Sequence, residues 1–137
     1  MTKGQVEQEI TSAMVAFQRN LTGHGPASAR RYIVEDMVLI RMQGMLSPLE
    51  QHLVQREDGR KVVKDLRHTL REITREDAEA VIRTVTGCEV LSSHGDVSTR
   101  TGERVEIYVL EGNLEMKLRG HSELLQEGRT SRTPDPR

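Results

Sequence analysis

The chain has 137 residues with 20 Lys and Arg against 21 Asp and Glu, a formal net charge of −1, so no global field draws it toward nucleic acid or an anionic bilayer. Its one cysteine, Cys88, excludes an internal disulfide and any cysteine-based metal cluster, and no apolar run approaches the roughly 18 residues that a membrane span needs. Hydrophobic residues make up 35% and aromatics only 2%, which suits one domain whose core rests on aliphatics and methionine and gains burial from self-association.

In chain order, Val6, Ile10, Ala13, Met14, Phe17 and Leu21 recur at steps of three and four, the apolar stripe of an amphipathic helix. Gly23-His24-Gly25-Pro26 forbids its continuation. Two β-like runs follow, Arg30 to Val34 and Met37 to Met42, joined at Glu35-Asp36 as a hairpin. The second run is apolar on both faces: Val38, Ile40 and Met42 on one, Met37 and Leu39 on the other. Such a strand is covered on both sides, one by the chain's own helices and the other by a further layer or a partner.

Ser47-Pro48-Leu49-Glu50 combines an N-cap, a proline at the first helical position and the glutamate of a capping box. This helix is expected to run to about Arg56 and to yield at Asp58-Gly59. A longer helix follows, with Val62, Val63, Leu66, Leu70 and Ile73 on one face. Thr74 to Asp77 reads as a second capping signature before Ala78, Val81, Ile82 and Val85, so the segment is either one kinked helix or two, stopping at Gly87. The last elements form a second hairpin, Cys88 to His94 and Glu103 to Leu110, around a polar stretch from Gly95 to Gly102. Val105, Ile107 and Val109 alternate with Glu106 and Tyr108, the pattern of a half-buried strand. The prediction is a single α+β domain over residues 1–114 in the order α-β-β-α-α-β-β, two β-hairpins in a small antiparallel sheet with three to four helices. Residues 115–137 are expected to be a polar, disordered tail.

The candidate chemistry is sparse. Gly23, His24, Gly25 and Pro26 follow a helix, whereas phosphate loops open one, so a helix stop is the better reading. His24, His94 and Asp96 have no spacing that implies convergence. No metal-binding, nucleophile-elbow or phosphate-loop motif is present, so catalytic residues, metal ligands and cofactors are expected to be none. Asp96, Ser98, Thr99, Arg100, Thr101 and Glu103 form a loop dense in hydrogen-bonding groups, which serves its own turn or presents a ligand or partner site. Cys88 reads as a small buried hydrophobe at a strand start. Arg60, Lys64, Arg67, Arg71 and Arg75 recur at steps of four, three, four and four, within about an 80° sector of the long helix. That stripe reads as a solvated face neutralised by neighbouring acids, with phosphate or lipid binding as the alternative.

The helix leading into Gly23-His24-Gly25-Pro26, the runs Tyr32 to Val38 and Gly44 to Glu50, and Val97 to Arg104 recur together in a bacterial family. Over about residues 3–114 the chain resembles the MpsC family, named after a sodium-translocating, membrane-potential-generating system. The resemblance implies an accessory role beside a membrane ion or bicarbonate transport system and carries over no catalytic residues. Family members commonly have Arg or Lys between the two glycines where this chain has His24, so no fixed positive charge is assigned there. The leading expectation is a non-enzymatic accessory or interaction protein, a cytoplasmic homodimer peripheral to a membrane-protein partner. The alternatives are a nucleic-acid-binding module using the basic stripe and a small-ligand sensor at the second hairpin loop.

Overall fold

The computed structural model describes residues 1–120. Helix α1 (Lys3–Thr22) starts at a capping box in which Thr2 and Gln5 satisfy each other's backbone N–H groups. It buries Val6, Ile10, Met14 and Gln18, and ends where Gly23 adopts φ 75° and donates its N–H to the Arg19 carbonyl. Strands β1 (Ser28–Val34) and β2 (Met37–Gln43) pair antiparallel across Glu35-Asp36. Glu35 is left-handed (φ 55°), and Glu115 holds it by accepting from its N–H and donating to its carbonyl.

Helix α2 (Pro48–Leu53) opens on the expected Ser47/Glu50 capping box. Helix α3 (Glu57–Thr86) is one continuous 30-residue helix, about 45 Å long. The Thr74 signature does not interrupt it, because the Thr74 hydroxyl bonds back to the Leu70 carbonyl inside the helix. Gly59 is not a break either. It lies in the first turn of α3, where an added Cβ would fall 1.8 Å from the Leu53 carbonyl oxygen, so glycine lets the end of α2 rest on α3. Strands β3 (Val90–Val97) and β4 (Arg104–Leu110) complete one antiparallel sheet in the order β1-β2-β4-β3. His94, Gly95 and Asp96 therefore belong to a strand, and the hairpin loop is shorter than its polarity suggests.

Residues 114–120 form a further helix, α4. Its Leu114 and Leu118 join the main core with Val6, Ile10, Met14, Val38, Ile40, Ala78, Ile82 and Tyr108. The tail expected from residue 115 is corrected at this point: leucines four residues apart supply enough apolar surface to dock one more helix. The remainder of the expected tail lies outside the described residues. Half-buried Cys88 packs against the same core. A smaller cluster of Leu46, Val63 and Val97 lies beneath the N-terminal half of α3.

Candidate functional site

A straight helix fixes the phase of its side chains at about 100° per residue. In α3 the C-terminal half packs Ala78, Val81, Ile82 and Val85 toward the core. Extended N-terminally, that direction passes within about 30° of Arg67 and Arg71 and lies about 130° from the mean of Val62, Leu66 and Ile73. The helix follows this geometry. Arg67 and Arg71 are 6% and 7% exposed, whereas Val62, Leu66 and Ile73 are 54%, 55% and 75% exposed. Of the apolar face expected to be buried, only Val63 is fully so.

Strand β4 is turned in the same sense. Arg104, Glu106, Tyr108 and Leu110 face the helices and are buried, while Val105, Ile107 and Val109 lie half-buried on the opposite face, which carries no helix among the described residues. The polar sides of α3 and β4 therefore meet inside the molecule. Arg67 grips Glu50 bidentately, Nε to Oε2 at 2.7 Å and Nη2 to Oε1 at 2.5 Å, and Nη2 also donates to the Met45 carbonyl at 2.9 Å. Glu50 thus serves both the α2 cap and the buried pair. Burial pulls its pKa up, but Arg67 and the Ser47 N–H outweigh that, and the net position is below the usual carboxylate value.

Around β4, Glu106 accepts from Arg104 Nε at 2.7 Å and from the Tyr108 hydroxyl at 2.5 Å. Burial and the Glu106 charge push the Tyr108 phenol far up, so it stays protonated and donates. Arg71 Nε lies 3.9 Å from Glu106.

Arg67 and Arg71 are consequently inside the molecule, and neither a solvated face nor a phosphate-binding stripe describes them, whereas Arg60 and Arg75 stay exposed and Lys64 half-buried, as a solvated face requires. These three also turn to protein: Arg60 to the Val54 carbonyl, Lys64 to Asp96 and the Val97 carbonyl, and Arg75 to Glu72. The stripe was legible in the sequence; its partners Glu50 and Glu106 come from distant elements and gave no local signal.

The hairpin loop serves its own turn. Ser98 Oγ accepts from the Arg100 and Thr101 N–H groups, Thr101 Oγ1 accepts from Glu103, and Gly102 supplies φ 75°. Hydrogen bonding to Lys64 holds the Asp96 pKa below its ordinary value, and Arg41 does the same for Glu103, which also accepts from Gln43. Thr99 is half-buried in this turn. At the glycine turn His24 Nε2 bonds the Gly44 carbonyl at 3.1 Å, and the added Cβ of a non-glycine residue at 25 would meet the Arg19 side chain at 3.1 Å. Pro26 is half-buried there, before Ala27 donates to Gln43. His24 lies in the turn that precedes β1 and His94 lies on β3, the strand at the opposite edge of the sheet, so the imagined acid–base group is not assembled.

Among the described residues, no group of three or more His, Cys, Asp or Glu side chains is placed to hold a metal ion. No helix among them is long and apolar enough to cross a membrane. The fold and the site define a small α+β protein with helices on one face of an antiparallel sheet, a charged interior seam and two exposed apolar surfaces. The chain belongs to the MpsC family, described as "Na+-translocating membrane potential-generating system", whose match spans residues 2–112. It is 33% identical over 117 residues to the uncharacterized protein YbcI of Bacillus subtilis strain 168, covering 85% of this chain and 94% of that protein. No solved structure matches it.

Proposed function

We propose that this protein is a non-enzymatic interaction protein that docks through α3 onto a basic amphipathic segment of a membrane protein. The observation that carries this reading is the outward stripe of Val62, Leu66 and Ile73. Burial of such side chains stabilises a complex by roughly 1.5–3 kcal/mol each. On one side the stripe is bordered by Asp58, Asp65, Glu72 and Glu76, whose directions fall within about 40° of one another; the first three form exposed ion pairs with Arg56, Lys61 and Arg75, which a basic partner has to displace or share. Acids beside an apolar strip complement Lys- and Arg-rich segments, which membrane proteins concentrate on their cytoplasmic side. The family description supports a partner within a membrane ion-transport system, and a Lys- and Arg-rich partner segment favours the cytoplasmic face of the membrane. The test uses a synthetic Lys/Leu amphipathic helix, together with detergent-solubilised membranes of the source cell. Wild type should bind the peptide in a salt-sensitive manner and co-purify with an integral membrane protein, and Leu66→Glu/Ile73→Glu should do neither. Equal binding by the variant would reject the reading.

A second copy fits the other apolar surface. The register places Val34–Met37–Val109–Ser92, Tyr32–Leu39–Ile107–His94 and Arg30–Arg41–Val105–Asp96 in successive rows across the sheet face opposite the helices. A two-fold axis parallel to the strands sets β1 of one copy over β3 of the other in aligned sheet packing. Arg30 then faces Asp96, Leu39 faces Ile107 and Met37 faces Val109, so the face is self-complementary in charge and apolarity. Light scattering at tens of micromolar should give a dimer. Arg30→Glu should weaken it and Arg30→Glu/Asp96→Arg should restore it; a monomeric wild type would reject this assembly.

A further inference from the structure

The outer side of α3 carries a longer order than the three exposed apolar residues alone. Leu66, Leu70, Ile73, Asp77, Ala80 and Thr84 recur at alternating steps of four and three, the 3.5-residue repeat that one helix presents to another in a coiled coil. At about 100° per residue their directions fall within about an 80° sector, turned away from the buried Ala78 and Ile82. All six are exposed or half-buried. From Leu66 to Thr84 this ridge is about 27 Å long.

Along its C-terminal half the ridge gains a second wall. Ala80 and Thr84 line an open groove with Ala13, Ala16 and Phe17 of α1. Small side chains on both walls let the backbone of a third helix come close. Asp77 lines the same groove, and among the described residues its carboxylate has no hydrogen bond or ion pair. It is the one charged member of the ridge.

We infer that the partner docked on α3 is a long helix, of about 20 residues or more, that follows the ridge into the α1/α3 groove and sets a Lys or Arg opposite Asp77. This deepens the reading of α3 as a docking surface and rests on it. The flanking acids attract a basic segment as a whole, whereas Asp77 selects one position within it. A single polar residue in the contact row of paired helices fixes their register, because an apolar side chain set over it leaves a desolvated, unpaired charge. The same cost tells against a second copy of α3 in this place. Parallel pairing sets Asp77 against Asp77, and antiparallel pairing with the two ridges in register sets it against Ile73.

The test uses two synthetic Leu/Lys amphipathic helices of about 24 residues that differ at one position of their apolar row, Lys in one and Glu in the other. Binding to the full chain is followed by fluorescence anisotropy. Wild type should bind the Lys peptide about tenfold or more tighter than the Glu peptide, and Asp77→Lys should reverse that order. Asp65→Lys, beside the ridge, should weaken both peptides and leave their order unchanged. Wild-type affinities within about twofold of each other, with Leu66→Glu/Ile73→Glu still abolishing binding, would overturn the inference and leave the docking role of α3 standing. Binding retained by Leu66→Glu/Ile73→Glu would reject the docking role itself. The wild-type comparison needs no variant, so it decides the matter whether or not Asp77→Lys folds.

Discussion

The two halves of α3 pack on one sheet and bury opposite kinds of side chain. The C-terminal half inserts Ala78 and Ile82 into an aliphatic core. The N-terminal half inserts Arg67 and Arg71 and leaves Val62, Leu66 and Ile73 outside. Helix propensity does not distinguish them. The difference is what lies beneath: methionines, isoleucines and valines under one half, and under the other the small Leu46–Val97 cluster that takes Val63, with Glu50 and Glu106 beside it. A helix with apolar residues on one side and cations on the opposite side can be seated either way around, and partner carboxylates decide which.

The largest effect that can break this comparison is removal of Arg67. Arg67→Met strands Glu50 as a buried charge and should cost about 3–5 kcal/mol in urea unfolding. Adding Glu50→Gln, which keeps the α2 cap, should recover most of the loss. Next comes Gly59→Ala, which drives a methyl into the Leu53 carbonyl and should cost about 1–3 kcal/mol by the same measurement. Arg71→Met is the sharpening control. Glu106 keeps Arg104 and Tyr108, so this change should cost less than about 1 kcal/mol.

A pH series gives a graded version. The folded pKa of Glu50 lies below its ordinary value of 4.5, so its stabilisation is fully present above the unfolded pKa and is lost as pH falls through the folded one. The slope of stability against pH below about 4.5 should be shallower in Glu50→Gln than in the wild type.

Much of the fold is written locally. Ser47 and Gly23 mark helix ends by capping chemistry, Glu35-Asp36 marks the first hairpin, and the doubly apolar β2 is an inner strand of the sheet. The seating of α3 and β4 is not local. Val105, Ile107 and Val109 have the alternation of a core face, as Val62, Leu66 and Ile73 have its helical spacing, yet both sets point away from the shared interior. The clue available was the phase relation with Ala78 and Ile82, which speaks only once residues 57–86 are one straight helix.

The most direct measurement is the unfolding free energy of Leu66→Glu and Ile73→Glu in the isolated protein. With both side chains in solvent, each variant should keep the native circular dichroism spectrum and a stability within about 0.5 kcal/mol of the wild type. Loss of about 2 kcal/mol or more would place these residues in the core and contradict the inward seating of Arg67 and Arg71.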